Sequence, residues 1–301
     1  MTSEFASASR GSRDLEVLSS DGTKLFAQEF GPGRDAPLLV FSHGWACQGR
    51  FWRPQVEQFA ATHRVVVYDQ RGHGLSDRGR VPFSARLLAD DLESVVRAVA
   101  TPTDKAVVVG HSMGGMSIMS WAAEYPASVS ELARGVVLAS TGPSQLVDRS
   151  TLLKVPRQLR PRLERAFAAS LAVAGPEMQG TRLSRRLIRY GTLGPGATVE
   201  VIDECADIVL RCPPQVRGMW GSVLATIDVS KGVDSLEVPA TVIVGDADRL
   251  TPATHSVDLA ARLGRKGVLF EFTLLDKVGH MSNLEAVEDF NSAVARLDKS
   301  A

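Results

Sequence analysis

The chain has 301 residues, 44% of them hydrophobic, with 34 basic side chains balanced by 34 acidic ones. That length carries one sizeable α/β core with room for an insertion, and zero net charge removes the simplest electrostatic case for a nucleic-acid partner. No apolar run approaches the ~20 residues that a membrane-crossing helix needs, so no transmembrane segment is expected.

Residues 1–13 are small and polar, without the apolar centre of a secretory signal, which predicts a disordered tail and a cytoplasmic protein. Two alternating runs follow, "LEVLS" (15–19) and "LFAQEF" (25–30), joined at Asp21-Gly22, and they read as an antiparallel edge hairpin. The runs at 38–43, 64–69, 106–110, 135–140, 240–246 and 268–275 are continuously apolar, as strands covered on both faces must be. Helical periodicity fills several of the intervals between them. The expected fold class is therefore α/β, a mainly parallel sheet with helices on both faces. Between Pro143 and Leu236 only helix signals broken by Gly and Pro occur, so residues 143–236 are expected to form an insertion over the C-terminal ends of the strands, with residues 14–142 and 237–301 as the core. The three cysteines, Cys47, Cys205 and Cys212, are an odd set without a C-x-x-C pair and read as free thiols, with neither a disulfide framework nor a zinc site.

The run at 106–110 leads into Gly110-His111-Ser112-Met113-Gly114, a G-x-S-x-G pattern between an expected strand and an expected helix. A turn this sharp forces its serine into strained backbone angles, and only very small neighbours let it close. It lifts the hydroxyl above the sheet, beside the N–H groups at the start of a helix. A phosphate-binding loop would need a Gly-Lys-Ser/Thr ending, and a dinucleotide fingerprint a G-x-G-x-x-G; both are absent here. A serine hydroxyl is a poor nucleophile at neutral pH and requires a base, which in turn requires a group that fixes its tautomer.

The pieces "FSHGW", "DQRGHGLSD", "GHSMGG", "GDADRLTP" and "VGH" each follow an expected strand, and in this order they make the chain resemble the α/β-hydrolase family from about Leu15 to the end. The resemblance implies an α/β-hydrolase fold with an inserted helical cap. It implies Ser112 as nucleophile and His280, after the last strand, as base. The family's pattern G-x-x-D-x-x-x-P falls on Gly245, Asp248 and Pro252, so the resemblance implies Asp248 rather than the neighbouring Asp246 as the third member. The oxyanion donors implied are the backbone N–H groups of Met113 and Trp45, with no metal or organic cofactor. His43 is expected to shape its loop, and the Asp69 to Gly74 turn to be mainly structural.

Trp45, Cys47, Phe51 and Trp52 follow the third strand and are candidates for an apolar acyl pocket, with packing of the next helix as the equal alternative for Phe51 and Trp52. The cap's first half is strongly basic (Arg157, Arg160, Arg162, Arg165, Arg182, Arg185, Arg186, Arg189) and precedes an acidic stretch from Glu200 to Asp207. It would steer an anionic substrate or surface, or be a solvated face neutralised locally. The expected function is cleavage of a small-molecule carboxylic ester through an acyl-enzyme. A lactonase, thioesterase, carbon–carbon bond hydrolase, haloperoxidase-like perhydrolase or longer-chain lipase would carry the same residues, and a ligand receptor on the same scaffold is the reading from a different class.

Overall fold

A computed structural model describes residues 12–152 and 181–301. Eight strands form one sheet: β1 (Arg13–Leu18), β2 (Lys24–Phe30), β3 (Leu38–Ser42), β4 (Arg64–Tyr68), β5 (Ala106–His111), β6 (Ala133–Ala139), β7 (Ala240–Gly245) and β8 (Leu269–Leu275). Their order is β1-β2-β4-β3-β5-β6-β7-β8, with β1 and β2 antiparallel and β4 to β8 running parallel with β3. The described helices are α1 (Arg53–Phe59), α2 (Ala85–Val99), α3 (Met113–Glu124), α4 (Pro126–Leu132), α5 (Leu146–Arg149), α6 (Arg182–Thr192), α7 (Val199–Arg211), α8 (Pro214–Leu224), α9 (Ser230–Ser235), α10 (Ala253–Lys266), α11 (Ser282–Glu285) and α12 (Val287–Ser300).

Continuous apolarity in β3, β4 and β5 has the expected cause. Leu38, Val40, Val66, Tyr68 and Val108 belong to one buried cluster, and their strand neighbours Leu39, Phe41, Val65, Val67 and Val109 to another. The period of two in a strand sends alternate residues to opposite faces, so both faces must be covered. Leu88, Leu92 and Val96 of α2, Met116 of α3 and Leu259 of α10 cover the first; Val56 of α1 and Phe290, Val294 and Leu297 of α12 cover the second.

Two expectations need correction. The run at 268–275 is not covered on both faces: β8 is the sheet's edge, and its Phe270 and Leu274 are 42% and 53% exposed. An edge strand has a single neighbour, and Glu271 and Thr273 interrupt its apolar string. Arg13, placed at the end of the expected tail, stands in β1 opposite Glu29; the rest of that expectation, residues 1–11, lies outside the described residues.

Within 143–236 the described residues form helices and one isolated bridge, Ser144 to Asp228. The segment α6 to α8 meets the loops that follow the strands. The Trp45 indole N–H donates to the Arg217 carbonyl at 2.9 Å, and that of Trp220 donates to the Arg71 carbonyl at 3.0 Å. By contrast, α9 packs in the helix layer on α3, so closely that a Cβ on Gly232 would lie 1.6 Å from the Met119 carbonyl oxygen. The acidic stretch is neutralised from both sides: Arg50 and Arg53 of the core pair with Asp207 and Glu204, and within the inserted segment Arg185 pairs with Asp203 and Arg211 with Asp207. Arg157, Arg160, Arg162 and Arg165 lie outside the described residues. No described helix is long and apolar enough to cross a membrane.

The turn after β4 is held by a fully buried guanidinium. Arg71 donates to Asp91 at 2.6 and 2.9 Å, to Asp21 at 2.7 Å and to Thr23 at 2.8 Å, joining the hairpin turn to α2. Removing it strands the Asp91 carboxylate in the interior. Arg71→Ala is therefore expected to destabilise the fold by about 3–5 kcal/mol, read as a lower urea midpoint at unchanged m-value. A loss below about 1 kcal/mol would mean that water reaches Asp91 and the network adds little.

Candidate active site

Ser112 sits between β5 and α3 at φ 52°, ψ −115°. A non-glycine residue held at positive φ costs about 1–3 kcal/mol and persists only where the surroundings over-determine it. Here they do. The Ser112 N–H donates to the Ala139 carbonyl at 2.9 Å, and its own carbonyl accepts the Thr141 hydroxyl at 2.8 Å. A Cβ on Gly110 would lie 2.4 Å from the Gly114 carbonyl oxygen, and one on Gly114 2.0 Å from that of Ser42. The flanking glycines thus make room for the turn, as their pattern predicts.

His280 follows β8, and its main chain is fixed at both ends: its N–H donates to the Thr192 carbonyl at 2.8 Å, and its carbonyl accepts His111 Nε2 at 2.7 Å. His111 directly precedes Ser112, and its ring centre is 4.9 Å from that of His280. The serine turn and the histidine loop are thereby in contact. On the ring, Nδ1 is 2.9 Å from Asp248 Oδ2 in a pair whose side chains are 5% and 0% exposed. Asp248 is itself clamped. Its Oδ1 accepts the Leu250 and Thr251 N–H groups, both at 2.9 Å, and its Oδ2 also lies 2.8 Å from the Thr251 hydroxyl. Asp246, two residues earlier, is exposed.

Of the other histidines, His43, His73 and His63 have ring partners elsewhere. His43 Nδ1 is 2.7 Å from the Gly44 carbonyl oxygen, which can only accept, while Nε2 accepts the Gln70 N–H at 2.9 Å; the ring is the neutral Nδ1–H tautomer, and burial holds its pKa well below the usual value. His73 repeats the arrangement between the Arg71 carbonyl and the Ala46 N–H, with its pKa pushed down to about 4 by burial. These two rings brace the loop that carries Trp45. Burial likewise lowers His255 to about 4. His63, at the opposite end of the sheet just before β4, pairs with Asp298.

The Trp45 loop reaches the serine: a Cβ on Gly44 would be 3.2 Å from Ser112 Cβ. Met113 is the first residue of α3, where an N–H has no intrahelical acceptor. Of the two readings of Phe51 and Trp52, pocket wall or packing of the next helix, the burial of both rings favours packing. Both are fully buried; Phe51 lies 4.8 Å from the His111 ring, and Trp52 lies 4.9 Å from Phe41 and 5.9 Å from Phe290. The 3₁₀ turn at Gly49–Trp52 rolls both rings inward ahead of Pro54, at the start of α1, so they pack beneath the site. Cys47 is buried too, which pushes its thiol pKa well above the usual value and makes it a poor nucleophile. Cys205 and Cys212 are also free and buried.

Several contributors escape sequence reading. Thr251 carries a weak local signal, a hydroxyl three residues after Asp248 and just before Pro252. His111 and Glu285 carry none, since His280 and Gly194, the contacts that tie them to the site, lie far along the chain.

The sequence profile of the alpha/beta hydrolase family matches residues 39–293. The chain belongs to that family. It is 27% identical over 266 residues to a bifunctional esterase/perhydrolase of Acinetobacter calcoaceticus, covering 85% of this chain and 90% of the relative. It is 28% identical over 261 residues to a pimeloyl-[acyl-carrier protein] methyl ester esterase of Xylella fastidiosa, covering 86% and 93%. Among solved structures, the bromoperoxidase of Bacillus anthracis superposes with a TM-score of 0.75 at 18% identity, covering 95% of this chain and 100% of that one. These relatives support a hydrolase; the structural likeness, at such low identity, speaks to the fold alone.

Proposed function

We propose that this alpha/beta hydrolase cleaves carboxylic esters through an acyl-enzyme, with Ser112, His280 and Asp248 as a catalytic triad. The observation that carries the reading is the buried Asp248–His280 pair, held against a strained serine turn by the His111 bond. In this scheme His280 Nε2 takes the Ser112 hydroxyl proton while Oγ attacks the ester carbonyl. The tetrahedral oxyanion accepts the Met113 and Trp45 N–H groups, each such donor contributing about 2.7–4 kcal/mol in the transition state. Collapse breaks the ester C–O bond, and His280 returns the proton to the departing alcohol. Water then gives a proton to His280 and its oxygen to the acyl carbon; the acid leaves and Ser112 regains its hydrogen. Asp248 keeps Nδ1 protonated throughout, leaving Nε2 free to accept.

The esterase/perhydrolase relative supports a second reading, in which hydrogen peroxide replaces water in the last half-reaction and releases a peracid. One assay separates the outcomes. Labelling of Ser112 by a fluorophosphonate, together with turnover of a p-nitrophenyl ester series, is the expected result. A peracid product that grows with added peroxide favours the second reading. Failure both to label and to turn over would leave a ligand receptor on this scaffold.

A further inference from the structure

The two loops that carry Asp248 and His280 meet at one short stretch of the inserted segment, residues 190–194, where α6 ends. The last carbonyls of a helix have no intrahelical donors and must find others. Here the active-site loops supply them. Arg249, next to Asp248, donates to the Tyr190 and Leu193 carbonyls at 2.9 and 3.2 Å and lies 4.8 Å over the Tyr190 ring. The N–H groups of His280 and Met281 both donate to the Thr192 carbonyl, at 2.8 and 3.3 Å.

On the far side of the junction stands Glu285. Its Oε2 accepts the Gly194 N–H at 2.7 Å and its Oε1 accepts the Gly279 N–H at 3.0 Å, so one carboxylate spans the inserted segment and the residue next to His280. The two backbones touch with no room for side chains. A Cβ on Gly194 would lie 2.2 Å from the Lys277 carbonyl oxygen, and one on Gly279 2.3 Å from the Gly194 nitrogen. A carboxylate accepting two backbone N–H groups at separate loops fixes their spacing more tightly than either loop alone.

We propose that Glu285 is a positioning residue for the base: it locks the inserted segment at Gly194 to the histidine loop at Gly279, so that His280 is held in register with Asp248 from above while His111 holds it from below. This rests on the triad reading. The consequence is that α6 and the base move as a unit, and contacts made to the inserted segment are transmitted to His280 through main-chain bonds.

The test pairs Glu285→Gln with Gly194→Ala. The glutamine leaves one N–H facing an amide NH₂, and the alanine wedges the junction from the other side with Glu285 intact. Displacing a catalytic group by about 1 Å costs on the order of 100-fold, so both variants are expected to lose at least about tenfold in kcat and in the rate of fluorophosphonate labelling, with KM within about threefold of wild type. The low-field proton resonance of His280 Nδ1–H should shift or broaden in both. A purely structural role would lower Tm and leave kcat and that resonance unchanged in the folded protein, which overturns the proposal. If Glu285→Gln does not fold, the same comparison is made with Gly194→Ala, and wild-type kcat there overturns it equally. Ester turnover that survives Ser112→Ala would strike the triad reading instead, whatever the Glu285 result.

Discussion

Ser112→Ala is expected to lower kcat on p-nitrophenyl esters by about 10⁶-fold, leaving a residue of catalysis from the oxyanion donors and substrate binding on the order of 10³–10⁴ above water. The structure makes this a clean comparison. Alanine carries the same Cβ as serine at φ 52°, so the backbone strain is retained, and no described bond to the Ser112 hydroxyl is lost from the fold. The bonds that hold the turn, from Ser112 N–H to Ala139 and from Thr141 to the Ser112 carbonyl, involve main chain at residue 112 and survive the change. Tm is therefore expected to stay within about 2 °C of wild type, a shift worth less than about 1 kcal/mol in a chain of this size. Turnover within tenfold of wild type would remove Ser112 from the chemistry and direct attention to another nucleophile.

What the sequence makes legible here is what local pattern controls. Seven of the eight strand runs are visible because burial on both faces, or alternation in the hairpin, is written into consecutive residues. Ser112 is visible because its turn has steric needs that only small neighbours meet, whereas Asp248 is preferred to Asp246 only through the resemblance to the family's pattern ending at Pro252. In the structure Asp248 is turned inward by two N–H groups from its own turn, while Asp246 faces solvent. What the sequence does not make legible depends on pairs remote in the chain. Gly194 and Glu285 are 91 residues apart, His111 and His280 169, and no local pattern announces either contact. The direction of a side chain is equally hidden. Phe51 and Trp52 have the composition of a pocket wall, and only the roll of the 3₁₀ turn decides that they face Phe41 and His111. β8 differs, because Glu271 and Thr273 interrupt its apolar string, as suits a strand at the sheet's edge.

Asp248→Asn is expected to reduce kcat by about 10⁴-fold with the fold intact, whereas Asp246→Asn should leave it within about twofold. The reasoning follows from the way the carboxylate is clamped. Oδ1 accepts two backbone N–H groups, from Leu250 and Thr251, and an amide nitrogen cannot take that place without setting donors against donors. The asparagine therefore keeps its oxygen at Oδ1 and puts its NH₂ where Oδ2 stood, 2.9 Å from His280 Nδ1. Thr251 adapts without loss, since its hydroxyl can accept from the NH₂ while donating to the Ser140 carbonyl at 2.8 Å. Nothing in the packing resists the exchange, so stability changes little. The imidazole responds instead: facing a donor, Nδ1 must accept, and the proton moves to Nε2. That tautomer cannot take the proton of Ser112. Kinetics and Tm measured side by side on the two asparagine variants test both halves of the prediction. Near wild-type kcat in Asp248→Asn would mean that His280 holds its tautomer without Asp248; a large loss in Asp246→Asn would transfer the role to the exposed carboxylate.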